Sequence, residues 1–91
     1  MYYVYVLLCT NYEQGKQQFY TGSSENIDNR EIDHKTKSVK TTKKFDKIEL
    51  VYFEACLNKK DAILREKQLK TGFGRGYIKR RIANYIKGMR A

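Results

Sequence analysis

Apolar and aromatic positions concentrate in three runs. From Tyr2 to Cys9 nearly every residue is aromatic, β-branched or aliphatic, the composition of a buried strand. Alternation puts Tyr3, Tyr5 and Leu7 on one face and Tyr2, Val4, Val6 and Leu8 on the other. A polar loop from Asn11 to Lys16 carries Gly15, and Gln17 to Gly22 returns as a second strand. The two strands form an antiparallel hairpin that brings Tyr5 and Tyr20 near each other. Ile48 to Cys56 is a third strand, with Ile48, Leu50 and Tyr52 on one face and Val51, Phe53 and Ala55 on the other. A strand apolar on both faces belongs in the middle of its sheet.

Between and after these runs the spacing turns helical. Gly22 and the pair Ser23, Ser24 precede a polar segment, which predicts a turn and then a helix from Glu25 to Lys35 capped by one of the serines. On it Arg30 and His34 share a face with Ile27. Asn58 is a suitable cap for a helix reaching Thr71, with Asp61 in its first turn and Gly72 as its stop. Gly74 and Gly76 mark a short basic turn around Arg75, and a last helix runs from Tyr77 to Lys87 before Gly88. Ile78, Ile82, Tyr85 and Ile86 form its apolar side. Tyr77, Arg81 and Asn84 line the other, flanked by Arg80 and Lys87. This second side is either a solvated face or a basic surface suited to a nucleic-acid backbone.

The charge balance narrows the partners. Nineteen Lys and Arg against ten Asp and Glu leave a formal charge of +9 on 91 residues. The length is that of one domain, 1–91. Such an excess favours a polyanion, through phosphate contacts that release condensed counterions. A membrane surface is disfavoured, since no long amphipathic helix offers a large apolar face. Five of the twelve residues from Thr36 to Lys47 are lysines. Lys40, Lys43 and Lys44 lie in this exposed basic loop, a phosphate-contacting arm or a solvated linker. Cys9 and Cys56 are far apart and the chain has one histidine, so a Cys/His zinc set is not expected and the thiols are read as buried and reduced. The apolar opening lacks a basic leader and is too short to span a bilayer, so a cytoplasmic location is expected.

Two positions carry candidate chemistry. Tyr20 at a strand end, with Arg30 and His34 on the helix that follows, would converge where a phosphate can be held; the alternative is a solvated helix face. In the helix after Asn58, residues at about 100° apart place Ala62, Ile63 and Leu69 on an apolar stripe with Glu66 among them. A carboxylate there needs compensation. Arg65, Lys67 and Arg30 are available for an ion pair, and a divalent metal is the other solution.

These residues resemble the GIY-YIG nuclease family in its small standalone bacterial form. The first family motif reads Tyr3-Val4-Tyr5 and the second Tyr20-Thr21-Gly22. The arginine ten residues beyond Tyr20 is Arg30, and the histidine one turn further is His34. The segment Ala62-Ile63-Leu64-Arg65-Glu66-Lys67-Gln68-Leu69-Lys70 resembles the metal-binding helix, with Glu66 in the place of the ligand glutamate. Asn84 matches the terminal active-site asparagine. Tyr3 stands where the first motif has glycine, Thr21 where the second has isoleucine, and the loop before the second motif is long.

The resemblance implies an α/β (α+β) fold with a three-stranded antiparallel sheet flanked by three helices. It also implies hydrolysis of phosphodiester bonds in DNA with a divalent metal, Mg²⁺ or in its place Mn²⁺, in the setting of DNA repair or recombination. Glu66 then holds the metal, Arg30 meets the phosphoryl charge, and Tyr5, Tyr20 and His34 position or deprotonate water, either His34 or a tyrosine being the base. Lys40, Lys43, Lys44, Arg75, Tyr77 and Arg81 are the expected DNA contacts. The partner is DNA of unresolved strandedness, and the chain is expected to be a monomer or weak homodimer. The rival expectation is a nucleic-acid-binding domain of the same fold without catalysis.

Overall fold

The β-branched and aromatic run at the start of the chain becomes the centre of the sheet. In the computed structural model, which describes residues 1–28, 30–32 and 45–89, β1 (Tyr2–Asn11) pairs antiparallel on one side with β2 (Lys16–Ser24) and on the other with β3 (Lys47–Cys56). The order is β2-β1-β3, so β3, expected in the middle, is an edge strand. Val4 to Cys9 are all buried, whereas β3 is only half-buried along most of its length. Being apolar on both faces did not separate the two strands, because helices and aromatic residues shield both faces of β3 as well.

The hairpin forms as expected. Gly15 takes φ 64°, a left-handed conformation that suits glycine in the reversing turn, and Asn11 Oδ1 accepts from Gln14 N at 2.9 Å. The register places Tyr5 opposite Gly22 and Leu7 opposite Tyr20. Tyr5 and Tyr20 therefore lie on one face of neighbouring strands, one diagonal step apart.

A bulge alters β3. Val6 pairs with Tyr52 but Leu7 with Leu50, so Val51 is an extra residue, and side chains beyond it change face. Ile48 and Leu50 pack with Leu7 and Cys9, while Tyr52 joins Val51 and Cys56 beside Val4 and Val6. The expected alternation put Ile48, Leu50 and Tyr52 together; the bulge separates Tyr52 from the other two.

One face of the sheet is covered by α1 (Lys59–Leu69), α2 (Gly72–Arg81) and α3 (Ala83–Met89). Ala62, Leu69, Ile78 and Ile82 pack there on Val4 and Val6. Asn58 caps α1 as its sequence predicts, its side chain accepting from Lys60 N at 2.8 Å. Gly72 does not stop a helix; it opens α2, and Gly74 and Gly76 lie inside α2 rather than in a turn. Thr71 makes this reversal, its Oγ1 donating to Gln68 O at 2.7 Å and accepting from Gly74 N at 3.1 Å. Gly74 is packed so close to the end of α1 that a Cβ there would collide with Gln68 O and with the Leu69 backbone. The expected last helix is likewise broken at Ile82 into α2 and α3.

The opposite face holds Tyr5, Leu7 and Cys9 under Ile32, with Tyr20, Ile27 and Phe45 around them. The helix expected from Glu25 starts later: β2 runs through Ser23 and Ser24, and helical structure is found at 30–32. Asp28 supplies the cap in place of a serine. Its Oδ1 accepts from Arg30 N at 2.8 Å and its carbonyl from Ile32 N at 3.1 Å. Ile27 thus precedes the helical turn instead of sharing a helix face with Arg30. Cys9 is buried and Cys56 half-buried, both as free thiols. Among the described residues no helix is long and apolar enough to cross a membrane.

Candidate active site

The site gathers at the outer edge of β2, from both faces of the sheet. On one face the Tyr5 ring lies over Gly22, where a Cβ would stand 2.5 Å from the Tyr5 hydroxyl oxygen and 2.6 Å from Cζ. Only glycine lets this phenol reach the edge strand. Tyr5 is 7% exposed, and its pKa is pushed up to about 12, first by burial and then by Tyr20 and Glu66. That ordering puts Tyr20 and Glu66 within electrostatic range of the same hydroxyl.

Glu66 arrives from the other face. In α1 it falls between buried Ala62 and Leu69, as helical spacing requires, whereas Ile63, expected on the same stripe, is 39% exposed at the rim. Burial alone would raise the Glu66 carboxyl, but hydrogen bonds from Lys70 and from the Ser23 hydroxyl, with the charges of Lys70 and Lys67, hold it below the ordinary carboxylate value. Lys70 Nζ stands 2.7 Å from Glu66 Oε2. The compensating cation is thus Lys70, one helical turn away, with Lys67 contributing at longer range. Arg65 is engaged elsewhere, on Glu54.

Glu66 offers a hard cation an ionised, part-exposed carboxylate whose partners among the described residues are one flexible ammonium and one hydroxyl. Among the described residues no three His, Cys, Asp or Glu side chains cluster. That donor set fits an ion of the Mg²⁺ type, which binds through one or two carboxylates and completes its shell with phosphate oxygens and water.

The remaining candidates divide. Arg30 is exposed on the helical turn 30–32. His34, Lys40, Lys43 and Lys44 lie outside the described residues. Arg75 is exposed on α2 and lines the groove beside Tyr20 and Lys70. Asn84 is exposed on α3, and the break at Ile82 removes the continuous helical face on which it was to join Tyr77 and Arg81. Tyr77 is half-buried under two guanidinium groups, Arg65 at 4.9 Å and Arg81 at 5.8 Å from its ring centroid. Its hydroxyl is 3.4 Å from that of Tyr52.

Sequence reasoning missed two partners at the site. Ser23 was weighed as a helix cap and instead donates to Glu66. Lys70 was overlooked as its ion-pair partner, although the i, i+4 spacing from Glu66 signals such a pair.

A family model for the GIY-YIG catalytic domain matches residues 1–80 of the 91. The chain belongs to the GIY-YIG family. GIY-YIG domains are generally those of endonucleases acting on DNA, and the α+β arrangement found here agrees with that fold. The match includes Tyr5, Tyr20, Arg30, His34 and Glu66 but ends before Arg81 and Asn84. No curated protein and no solved structure matches the chain.

Proposed function

We propose that this GIY-YIG chain is an Mg²⁺-dependent endonuclease that hydrolyses phosphodiester bonds in DNA. The observation that carries the reading is geometric: the Tyr5 ring lies over Gly22, Tyr20 is one diagonal step away on β2, and Glu66 meets Lys70 and Ser23 at the same edge of the sheet. Glu66 would hold the divalent ion, whose chemistry when bound would be to neutralise the charge that develops on the phosphate during cleavage. Hydrolysis adds water across one P–O bond, the leaving oxygen departing with the electron pair and gaining a proton. The guanidinium of Arg30 forks onto the non-bridging oxygens as their charge grows.

Tyr5, with its pKa near 12, stays a phenol at neutral pH and orients water through its hydroxyl. This supports His34 as the base, since an imidazole titrates near ~6.5. Asn84, Lys40, Lys43 and Lys44 take the roles of further phosphate contacts.

The ion pair of Glu66 with Lys70 favours a second reading, a DNA-binding domain in which the ammonium has replaced the metal. One experiment separates them. Purified protein is incubated with labelled single-stranded, duplex and flap DNA in Mg²⁺ or in chelator, beside Arg30→Ala. Cleavage that needs Mg²⁺ and is lost in the variant supports the enzyme. Binding without cleavage in any divalent ion overturns it.

A further inference from the structure

Two grooves follow one another along the α-helical side of β2 and lead away from Glu66. The nearer is small, about 180 Å³, and lies between Tyr20 and Thr21 on the strand and Lys70 and Arg75 on the helices. The farther, about 510 Å³, shares Phe19 and Arg75 with the first and has an apolar floor of Leu8, Phe19 and Ile86. Lys79 and Gln17, which shares the Phe19 side of the strand, also line it, together with Gln18. Ser23, Thr21, Phe19 and Gln17 mark alternate positions of one extended strand. Phe19 is therefore roughly 14 Å from the residue that touches Glu66, at about 3.4 Å per residue.

We infer that this farther groove is a nucleotide subsite, which holds the DNA strand on one side of the cleavage point with its base on the Phe19–Ile86 floor and its phosphates on Arg75 and Lys79. The inference rests on the reading of the chain as a DNA-cleaving enzyme and adds to it where the strand runs. The occupant follows from the lining. An apolar floor with Gln17 beside it suits the flat face and polar edge of a nucleobase, and the succession Lys70, Arg75, Lys79 is a row of cations suited to successive phosphates. At the opposite end of the β2 edge the described lining of the cavity beyond Ser23 sets Glu25 and Glu31 against Lys59, a lining less suited to phosphate than Arg75 and Lys79. A base reaches the floor only when unpaired, so the strand entering this groove is single-stranded over at least that nucleotide.

The test is binding in chelator, so it does not depend on cleavage. A fluorescent single-stranded oligonucleotide is titrated against wild type, Arg75→Ala and Lys79→Ala at several salt concentrations. Each variant is expected to bind several-fold more weakly and to lower the slope of log K against log salt by about 0.7. A strand of equal length lacking all bases is expected to bind wild type at least about five-fold more weakly. That discrimination shrinks in Ile86→Ala and in Gln17→Ala, two variants so that poor folding of one leaves the other. Unchanged slopes, or equal binding of the base-free strand, would overturn the subsite. If these effects appear and wild type still cleaves nothing in Mg²⁺, the subsite stands and the nuclease reading falls.

Discussion

Helix α1 presents two neighbouring side chains to opposite edges of the sheet, and the two ends differ in how their carboxylates are used. Val4 on the central strand pairs with Ser23 on one side and Glu54 on the other, and α1 lies over this row. Arg65 leans toward β3 and grips Glu54 with both arms, Nε to Oε1 at 2.8 Å and Nη2 to Oε2 at 3.0 Å. Tyr52 donates to the same Oε2 at 2.8 Å, and the Tyr77 hydroxyl closes on Tyr52. Next along the helix, Glu66 leans toward β2, where its partners among the described residues are Lys70 and Ser23.

The Glu54 end uses a rigid guanidinium fork and packed phenols, partners that hold geometry. The Glu66 end uses an ammonium on a flexible stem, with 54% of its side chain exposed, a partner that an incoming ion can displace. Saturation suits a structural carboxylate, and the looser set of described partners suits the metal-binding role proposed for Glu66.

The largest expected effect is therefore a crossed pair of outcomes. Glu66→Ala should lower Mg²⁺-dependent cleavage by on the order of 10³-fold, about 4 kcal/mol of barrier, while its stability stays within about 0.5 kcal/mol of wild type. Glu54→Ala should do the reverse. Stranding Arg65 and Tyr52 costs about 1–2 kcal/mol, discounted for a part-exposed pair, a fall in Tm of roughly 5–10 °C, with cleavage by the folded fraction retained. Thermal melts and single-turnover rates on both variants check this. Glu66→Ala melting well below Glu54→Ala would erase the distinction.

Much of this contrast was within reach of the sequence, and what was not had physical reasons. Local signals worked: the hairpin faces, the Asn58 cap and the place of Glu66 in the apolar stripe all depend on residues within a turn or two. Long-range partners left no local trace. Glu54 and Arg65 are eleven residues apart and meet only because β3 pairs beside β1. The edge position of β3 has no local signature, because both of its faces are shielded and its apolar residues on both sides look like those of a central strand. Gly72 reads as a helix stop and Gly74 and Gly76 as a turn, yet α2 begins there. The Thr71 hydroxyl supplies its cap, and the glycine at 74 answers to the nearness of α1, which no single-helix propensity contains.

Two of the glycines turn the comparison into a second, smaller test. At Gly74 an added Cβ meets backbone, Gln68 O and Leu69, which cannot move without parting α1 from α2. Gly74→Ala should cost about 1–3 kcal/mol, with the phenols at the β2 edge undisturbed. At Gly22 the added Cβ meets the far end of a side chain, the Tyr5 ring, which can swing aside. Gly22→Ala should therefore lose less stability and more cleavage. Denaturant midpoints and cleavage rates for the pair report this, and a Gly22→Ala enzyme of full activity would remove Tyr5 from the site.

The smallest effect is in pH. Hydrogen bonds from Arg65, working against the cost of burial and aided by Tyr52, hold the Glu54 carboxyl below its ordinary value of 4.5. A carboxyl lowered on folding contributes stability that is present in full above the unfolded value and is lost as pH falls through the folded one. Glu54→Gln keeps the side chain's shape and removes its titration. The gap in Tm between wild type and Glu54→Gln should be constant from neutrality down to about pH 5.5 and narrow progressively below 4.5, as the carboxyl gains its proton and the guanidinium loses its counter-charge. Raising the salt concentration should trim the gap only slightly at neutral pH, because the bidentate contacts are part-buried and screen less than an exposed pair. Parallel melting curves from pH 7 to pH 3 would mean that the guanidinium of Arg65 does not stabilise the Glu54 carboxylate, and the contrast between the two edges of the sheet would lose its rigid member.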